Sequence, residues 1–210
     1  MEISSISDFS SFSLCIFDLD NTIYQEEDYL FQGYHSIAEY FSKTDSSHNT
    51  TELFLMLKNI YQKEGRDKLF NKFLKTINVD DSHIPICLHI LRTFDPKNKL
   101  FIYSNVKNLL SNLINQEKTI YVLTNGNPLQ QKNKIRNIDW AGLDKSIHFV
   151  LADEIEPKPS AAGVEYILNI SGIKRSKTIM IGDSETDLKC AVNSAIPFLN
   201  VKNLSLSNYS

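Results

Sequence analysis

The chain has 210 residues, of which 42% are hydrophobic and 22% are charged, and its formal net charge is −3. This composition is typical of a globular protein, and the length allows one large domain or a core with a small second domain. The weak net charge and the lack of a long basic run argue against nucleic acid or an anionic membrane as the main partner. No apolar stretch reaches the ~20 residues that a transmembrane helix needs.

Cysteine and histidine usage argues against a disulfide framework and a zinc site. Cys15, Cys87 and Cys190 are odd in number and far apart in the chain, which is typical of a reducing compartment, so we expect a cytoplasmic protein. The five histidines show no pair at the helical spacing of metal ligands, so zinc is not indicated. Residues 1–12 are rich in Ser but lack Lys and Arg, so they do not resemble a secretory signal.

A short apolar run near the start of the chain ends in two carboxylates. Residues 13–17 are mostly apolar and lead into Asp18, Asp20 and Thr22, which predicts a buried strand of a parallel sheet. Because side chains alternate along a strand, Asp18 and Asp20 should start on the same face at its carboxyl end. Two carboxylates this close need a cation or a shared proton, which suits metal ligands or a nucleophile beside an acid. The alternative is a strand that ends in a solvated turn.

The segment that follows, from about Asp28 to Thr93, has helical periodicity. Its apolar residues recur every three or four positions, with polar breaks between the helices and no strand signal of useful length. We therefore predict an all-helical insertion of about four helices between the first and the second strand. The predicted division is a core of residues 1–23 and 99–210 with a helical domain of residues 24–98.

After the helical segment, strands and helices alternate. Apolar runs rich in β-branched residues predict strands at residues 119–123, 147–151, 178–181 and 198–201, with helical segments between them. Such alternation implies right-handed crossovers and a parallel sheet that is covered on both faces. Ligands bind beyond the carboxyl ends of the strands in such sheets, and the polar motifs of this chain fall at or just after those ends.

Four motifs resemble those of a known family, in the same order. They are Phe17–Thr22 with its Asp-x-Asp-x-Thr, Leu123–Gly126, Lys158–Pro159 and Ile181–Asp187. The family is the haloacid dehalogenase-like (HAD) superfamily, and the match is to its phosphatase branch. The resemblance implies an α/β fold with a Rossmann-like core, a doubly wound parallel five-stranded sheet in the order 3-2-1-4-5. The helical insertion after the first motif resembles the family's C1-type cap, which closes over the site.

The resemblance also assigns roles to the acidic residues. Asp18 matches the family's nucleophile, which forms an aspartyl-phosphate, and Asp20 matches the residue that protonates the leaving group and then activates water. The family's metal is bound by positions that correspond to Asp18, the backbone carbonyl of Asp20, and Asp183. An oxygen-rich site favours Mg²⁺ over zinc. Dehalogenases of the family lack an Asp at the second position, so Asp20 favours phosphoryl transfer.

The other motif residues are expected to bind phosphate or to support the site. The predicted phosphate-binding residues are Thr124, Asn125, Gly126 and Lys158. Lys158 is also predicted to be catalytic, because it would hold Asp18 and supply positive charge to the phosphoryl group. Taken alone, the Asn-Gly pair is more typical of an ordinary turn, and a lone Lys is usually solvated. Asp187 and Thr22 are predicted to support the site, and capping of a helix N-terminus is the alternative for Asp183 and Asp187.

Substrate choice is expected to depend on the helical domain and the loops near it. The candidate specificity residues are Tyr24, Gln25, Tyr29, Asn127 and Gln131. The alternatives are that Tyr29 is a core residue and that Gln131 is solvated. The last motif helix departs from the family, because Cys190-Ala191 and Ser194-Ala195 stand where Gly-Ala and Ala-Gly are frequent, which puts the usual turn at Ala195 in doubt.

These inferences lead to a Mg²⁺-dependent phosphomonoester hydrolase, a phosphatase that acts on a small phosphorylated metabolite such as a sugar phosphate or a nucleotide. Two alternatives stay open. One is a phosphomutase of the same superfamily, and the other is a non-catalytic regulatory module that binds phosphate or metal. We expect no nucleic-acid or membrane partner, and the sequence does not indicate an oligomeric state.

Overall fold

The computed structural model describes residues 2–3, 9–44 and 47–204. The described strands are β1 (Glu2–Ile3), β2 (Leu14–Phe17), β3 (Leu100–Phe101), β4 (Thr119–Thr124), β5 (Ile138–Asp139), β6 (Ile147–Leu151), β7 (Thr178–Gly182) and β8 (Phe198–Asn200). Six of them form one sheet in the order β1-β8-β7-β2-β4-β6, in which all pairings are parallel.

The predicted sheet order is confirmed. The five predicted strands correspond to β2, β4, β6, β7 and β8, and their spatial order is 3-2-1-4-5, with the first strand at the centre. The sequence did not predict β1, which adds a sixth strand at the edge by pairing with β8. It also did not predict β3 and β5, which form a separate parallel pair.

Four of the eight described α-helices lie in the insertion between β2 and β3, as predicted. The helices are α1 (Glu26–Thr44), α2 (Thr50–Glu64), α3 (Leu69–Thr76), α4 (Ile84–Thr93), α5 (Ser104–Asn115), α6 (Pro128–Asn137), α7 (Ala162–Ser171) and α8 (Glu185–Asn193). No described helix is both long enough and apolar enough to cross a membrane.

The chain divides into two compact units. The first contains residues 1–26, 100–131 and 138–210, and it holds the six-stranded sheet; the second contains residues 27–99 and 132–137 and is helical. In the second unit, α2 and α3 pack together, and the rings of Phe41 and Phe73 meet edge to face at 5.6 Å. Burial of such a side chain contributes about 1.5–3 kcal/mol, so this unit has a hydrophobic core of its own.

The core of the first unit covers both faces of the central strand. All four residues of β2 are buried, as expected for a strand between two neighbours in a parallel sheet. Leu14 and Ile16 belong to a cluster that includes Val164 of α7 and Ala191 of α8. Burial of this strand fixes the position at which its carboxyl end, and therefore Asp18, leaves the sheet.

The turn after α8 keeps a regular geometry although Ala195 occupies it. Ile196 N–H donates to the Ala191 carbonyl at 3.0 Å, and Ala195 N–H donates to the Val192 carbonyl at 3.0 Å. These two bonds define a Schellman motif, which places Ala195 in the left-handed conformation with φ of 49°. The doubt about this turn is therefore resolved: the turn forms, with Ala in place of the usual Gly.

Candidate active site

Three neighbouring strands bring polar residues to one edge of the sheet. β2 pairs with β4 on one side and with β7 on the other. Because the strands are parallel, their carboxyl ends lie at the same edge, where Asp18, Thr124 and Asp183 occur at or just after the strand ends. Asp18 N–H donates to the Ile181 carbonyl oxygen at 2.9 Å, so the ladder extends to the residue that carries the carboxylate.

A buried lysine lies between two carboxylates at this edge. Lys158 Nζ donates to Asp18 Oδ1 at 2.5 Å and to Asp187 Oδ1 at 2.6 Å. The three side chains are almost fully buried, so water screens their charges only weakly. Removing Lys158 would leave two buried carboxylates uncompensated, at a cost of about 3–5 kcal/mol. One ammonium faces two carboxylates, so the group keeps an excess of negative charge.

The pKa values of these groups reflect that excess. Burial raises the pKa of Asp18 to about 7, and Asp187 and Asp20 add to this against the opposing effect of Lys158. Burial lowers the pKa of Lys158, but the two carboxylates outweigh burial and raise it above its usual range. Burial and the nearby Asp187 raise the pKa of Asp183. A bound proton or a metal cation would therefore stabilise these acidic groups.

Asp187 is held by the first turn of α8. Ser184 is the N-cap of this helix, and its Oγ accepts from Asp187 N–H at 3.2 Å. Ser184 N–H and Oγ donate in return to Asp187 Oδ2, at 3.2 and 2.6 Å. This reciprocal capping box leaves Oδ1 for Lys158. The capping alternative therefore holds for Asp187, together with a direct contact that supports the buried lysine.

Three carboxylates offer oxygens to one cation. One oxygen each of Asp18, Asp183 and Asp187 lie within 4.8 Å of one another. All-oxygen donors with excess negative charge suit Mg²⁺, so these residues fit the ion that the resemblance implies. Asp187 is the least available, because Lys158 and Ser184 already occupy its oxygens. Thr22 Oγ1 donates to Asp183 Oδ1 at 3.5 Å, which places Thr22 beside this group.

The Asp20 carboxylate is held by two other side chains. Tyr24 OH donates to Oδ1 at 2.7 Å, and Gln131 Nε2 donates to Oδ2 at 3.1 Å. Tyr24 is fully buried and Gln131 is 2% exposed, so the interpretation of Gln131 as a solvated residue was wrong. The two carboxylates that follow β2 therefore have different surroundings: Asp18 contacts a buried lysine, and Asp20 contacts neutral donors.

The second motif uses its amide groups to hold neighbouring loops. Asn125 Nδ2 donates to the Lys158 carbonyl and Asn125 Oδ1 accepts from Lys158 N–H, both at 2.8 Å. Gly126 N–H donates to Asp153 Oδ1 at 2.8 Å. These contacts position the lysine and order the loop after β4. Binding of phosphate by Asn125 and Gly126 stays a prediction.

The other specificity candidates lie in three different environments. Gln25 is exposed. Tyr29 is fully buried within the helical unit, where its hydroxyl donates to the Leu91 carbonyl at 2.7 Å, which favours the core interpretation. Asn127 caps the start of α6, because its Oδ1 accepts from Leu129 N–H at 3.2 Å. A direct contact of any of the three with substrate stays a prediction.

Two residues of the site were not predicted from the sequence. Ser184 could have been found, because Ser-x-x-Asp at positions 184–187 before a helix is a capping-box pattern. Asp153 could not, because an exposed acidic residue after a strand carries no signal that it will accept from Gly126.

Comparison with known proteins assigns the chain to a family. The family model for haloacid dehalogenase-like hydrolases matches residues 15–201. The chain belongs to this family. The match includes all four motifs of the HAD hydrolases. A search of curated protein sequences finds no significant match.

Solved structures of HAD hydrolases share the fold of the chain. A protein of Clostridium difficile assigned as a phosphatase has a TM-score of 0.64 at 18% identity. The alignment covers 90% of this chain and 84% of that protein. A protein of Thermotoga maritima assigned as a β-phosphoglucomutase has a TM-score of 0.63 at 15% identity. The alignment covers 91% of this chain and 96% of that protein. The HAD hydrolase YfnB of Bacillus subtilis has a TM-score of 0.59 at 21% identity, and the alignment covers 89% of this chain and 87% of YfnB. Its structure is bound to magnesium and reveals interdomain movement. At these identities the similarity concerns the fold alone.

Proposed function

We propose that the chain is a Mg²⁺-dependent phosphomonoester hydrolase that acts through an aspartyl-phosphate on a small phosphorylated metabolite, such as a sugar phosphate or a nucleotide. The observation that carries the proposal is the difference between the two carboxylates at the end of β2. Asp18 is buried against Lys158, and Asp20 is held by Tyr24 and Gln131. Two carboxyl groups in different environments can serve as nucleophile and as acid–base group.

In the first step, Asp18 attacks the phosphoryl group. Lys158 contacts Oδ1, so the attack falls to Oδ2. The bond from Oδ2 to phosphorus forms while the bond from phosphorus to the leaving oxygen breaks, and Asp20 donates its proton to that oxygen. Lys158 keeps Asp18 in place and contributes positive charge next to the phosphoryl oxygens.

In the second step, water hydrolyses the aspartyl-phosphate. Asp20, now a carboxylate, takes a proton from the water as its oxygen bonds to phosphorus, and the bond to Asp18 Oδ2 breaks. Inorganic phosphate leaves, and both carboxyl groups return to their initial states. Mg²⁺, held by Asp18, Asp183 and the Asp20 carbonyl, would neutralise the charges that the nucleophile and the phosphoryl oxygens bring together.

Two further parts of the proposal concern the cap and the compartment. We propose that residues 24–98 act as a mobile cap domain that closes over the site and selects the substrate. The four-helix insertion and the interdomain movement of the Bacillus subtilis neighbour support this. A cytoplasmic location is supported by the three cysteines, which are free and buried.

A phosphomutase is the second candidate, because the Thermotoga maritima neighbour assigned as a β-phosphoglucomutase has the same fold. A mutase would return the phosphoryl group to the sugar instead of passing it to water. Its turnover would require a bisphosphate activator and would release little inorganic phosphate. A non-catalytic module would bind Mg²⁺ without turnover of any phosphoester.

The test is a screen of phosphate release over a panel of metabolites, with p-nitrophenyl phosphate as a generic substrate. We expect turnover with Mg²⁺, loss of turnover with EDTA, and recovery when Mg²⁺ is restored. Asp18→Asn should abolish turnover, because an amide is a poor nucleophile and a weak metal ligand. Glu185→Gln, which removes an exposed carboxylate from α8, is the matched control and should stay active. Full activity after exhaustive EDTA treatment would refute the metal assignment.

A further inference from the structure

We infer that Gln131 is a positioning residue that fixes the Asp20 carboxylate for proton transfer, with Tyr24 as its counterpart on the other oxygen. The inference rests on the proposed function. Gln131 Nε2 lies 3.1 Å from Asp20 Oδ2, 2.8 Å from Thr124 Oγ1 and within hydrogen-bond distance of the Asn125 carbonyl oxygen, so its two hydrogens are shared among three acceptors. One amide nitrogen therefore connects the first motif to the second.

The surroundings of Gln131 determine which end of its amide faces Asp20. A carboxylate and a carbonyl oxygen can only accept, so the group that faces them must be the NH₂. The residue is 2% exposed, and its Oε1 has no hydrogen-bond partner among the residues that the structure describes. The donor end of the amide is therefore directed at Asp20.

The backbone around Gln131 fixes the direction of its side chain. Asn127 caps α6 by accepting from Gln130 N–H at 3.4 Å, and its carbonyl accepts from Gln131 N–H at 3.0 Å. Gly126 leaves the space that the side chain needs, because a Cβ at this position would lie 3.2 Å from Gln131 Nε2. Its φ of 117° is also strained for any residue with a side chain. Both residues therefore help to place the amide.

Tyr24 holds the other oxygen of Asp20. Its hydroxyl donates to Oδ1 at 2.7 Å from a fully buried position. Its backbone forms isolated bridges with Asp20 and with Ile102, which restrict its movement. A carboxylate that is bound at both oxygens loses most of its rotational freedom. Such preorganisation matters because a displacement of about 1 Å can reduce the rate about 10²-fold.

The test uses Gln131→Met, which keeps the length of the side chain and removes the donor. For a phosphate ester of an aliphatic alcohol, we expect kcat to fall about tenfold or more with little change in KM. For p-nitrophenyl phosphate, whose leaving group needs no proton, the loss should be much smaller. Gln130→Met changes the adjacent residue in the same way and should leave both rates unchanged. In an Asp20→Asn background, Gln131→Met should not lower kcat further, because the carboxylate that Gln131 positions is already lost.

An equal loss on both substrates would indicate a merely structural role, and a higher KM at unchanged kcat would indicate contact with substrate. Either result would overturn the inference. If Gln131→Met does not fold, Tyr24→Phe removes one hydroxyl from the same carboxylate and should give the same dependence on the leaving group. If the unmodified protein hydrolyses no phosphomonoester, the proposed function fails. Crystal structures then decide the inference: the Asp20 side chain should turn away in Gln131→Met and stay in place in Gln130→Met, and an unmoved Asp20 would overturn it.

Discussion

Asn125 and Lys158 are joined by two hydrogen bonds that run in opposite directions. Asn125 Nδ2 donates to the Lys158 carbonyl, and Lys158 N–H donates to Asn125 Oδ1, both at 2.8 Å. A side-chain amide thus satisfies both backbone groups of one residue in the loop after β6. With its backbone fixed in this way, Lys158 can direct Nζ to Asp18 and Asp187. Asn125 therefore determines where the buried charge of the site lies.

Asn125→Ala should lower both stability and turnover. Loss of the amide leaves two partly buried backbone groups without their partner, which should reduce the free energy of unfolding by about 1–3 kcal/mol. Displacement of Lys158 should lower kcat at least about tenfold. Asn193→Ala is the matched control, because Asn193 Nδ2 donates to the next residue of the loop, the Pro159 carbonyl, at 2.9 Å from an exposed position. Urea unfolding and phosphate release measure the two effects, and equal kcat values for both variants would contradict the role of Asn125.

Gly182 leaves space for the carboxylate that supports Lys158. A Cβ at Gly182 would lie 2.6 Å from Asp187 Cβ and 2.7 Å from its Oδ2. Gly182→Ala should therefore displace Asp187, destabilise the protein by about 1–3 kcal/mol and lower kcat. Gly172→Ala, at the left-handed end of α7 with open space around it, should cost about 1–2 kcal/mol without affecting kcat. A Gly182→Ala protein with unchanged kcat would show that the position of Asp187 is unimportant for turnover.

Asp20→Asn should reveal the proton that this carboxylate transfers. We expect a loss of roughly 10²–10⁴-fold in kcat on a sugar phosphate, because the alkoxide leaves without a proton. The loss should shrink for a nitrophenyl phosphate or an acyl phosphate, whose leaving groups need none. The proposed metal contact of Asp20 is through its backbone carbonyl, so it should survive the substitution. If Asp20→Asn lowered kcat by the same factor for every substrate, whatever the pKa of the leaving group, the acid–base assignment would be wrong.

The fold and the main acidic group could be predicted because both follow from regular patterns. Short apolar runs alternate with helical segments, which is enough to indicate a parallel sheet, and parallel strands bring their carboxyl ends to one edge. Asp18 and Asp183 were therefore expected to be close, and one oxygen from each lies in the same acidic group. The resemblance to HAD hydrolases added the strand order, which periodicity does not determine.

The contacts within the site could not be predicted in the same way. The partner of a buried amide depends on the phase of its helix and on side-chain rotamers, so Gln131 could not be assigned to Asp20 from its spacing. The pairing of β3 with β5 was missed because two-residue strands are too short to show periodicity. Residues 132–137 group with the inserted helices through tertiary contacts, which local periodicity does not reveal.

Ala195→Gly should stabilise the protein without affecting the site. Ala195 occupies the left-handed position of the turn after α8 with φ of 49°, a conformation that costs a residue with a Cβ about 1–2 kcal/mol. Glycine removes most of that strain but increases the freedom of the unfolded chain, so we expect a net gain of about 0.5–1 kcal/mol. Ala191→Gly, within the same helix, should instead lose about 1–2 kcal/mol, because it frees the backbone and also removes a methyl group from the buried cluster. Urea unfolding distinguishes the two signs, and a destabilised Ala195→Gly would contradict the strain at this turn.

Affinity for Mg²⁺ should depend on pH because the ion and a proton compete for Asp18. Burial raises the pKa of Asp18 from 3.8 to about 7 in the metal-free protein. A raised pKa means that the folded state prefers the protonated form. The contribution of Asp18 to the stability of the metal-free protein is therefore complete below pH 3.8 and is lost as the pH rises through about 7.

Mg²⁺ binds the carboxylate, so its Kd should rise about tenfold for each unit of pH below 7 and should not change above 7 on account of this group. Saturating Mg²⁺ should raise the free energy of unfolding relative to EDTA, and this increase should grow as the pH rises towards 7. The reason is that fewer protons then compete with the cation for Asp18. Calorimetric titration and thermal unfolding between about pH 5.5 and about pH 8.5 measure both quantities. Glu165→Gln, which removes an exposed carboxylate paired with Arg175, should show the same dependence as the unmodified protein. A Kd that stays constant across this range would mean that Asp18 is already ionised without metal, and that Lys158 alone balances its charge.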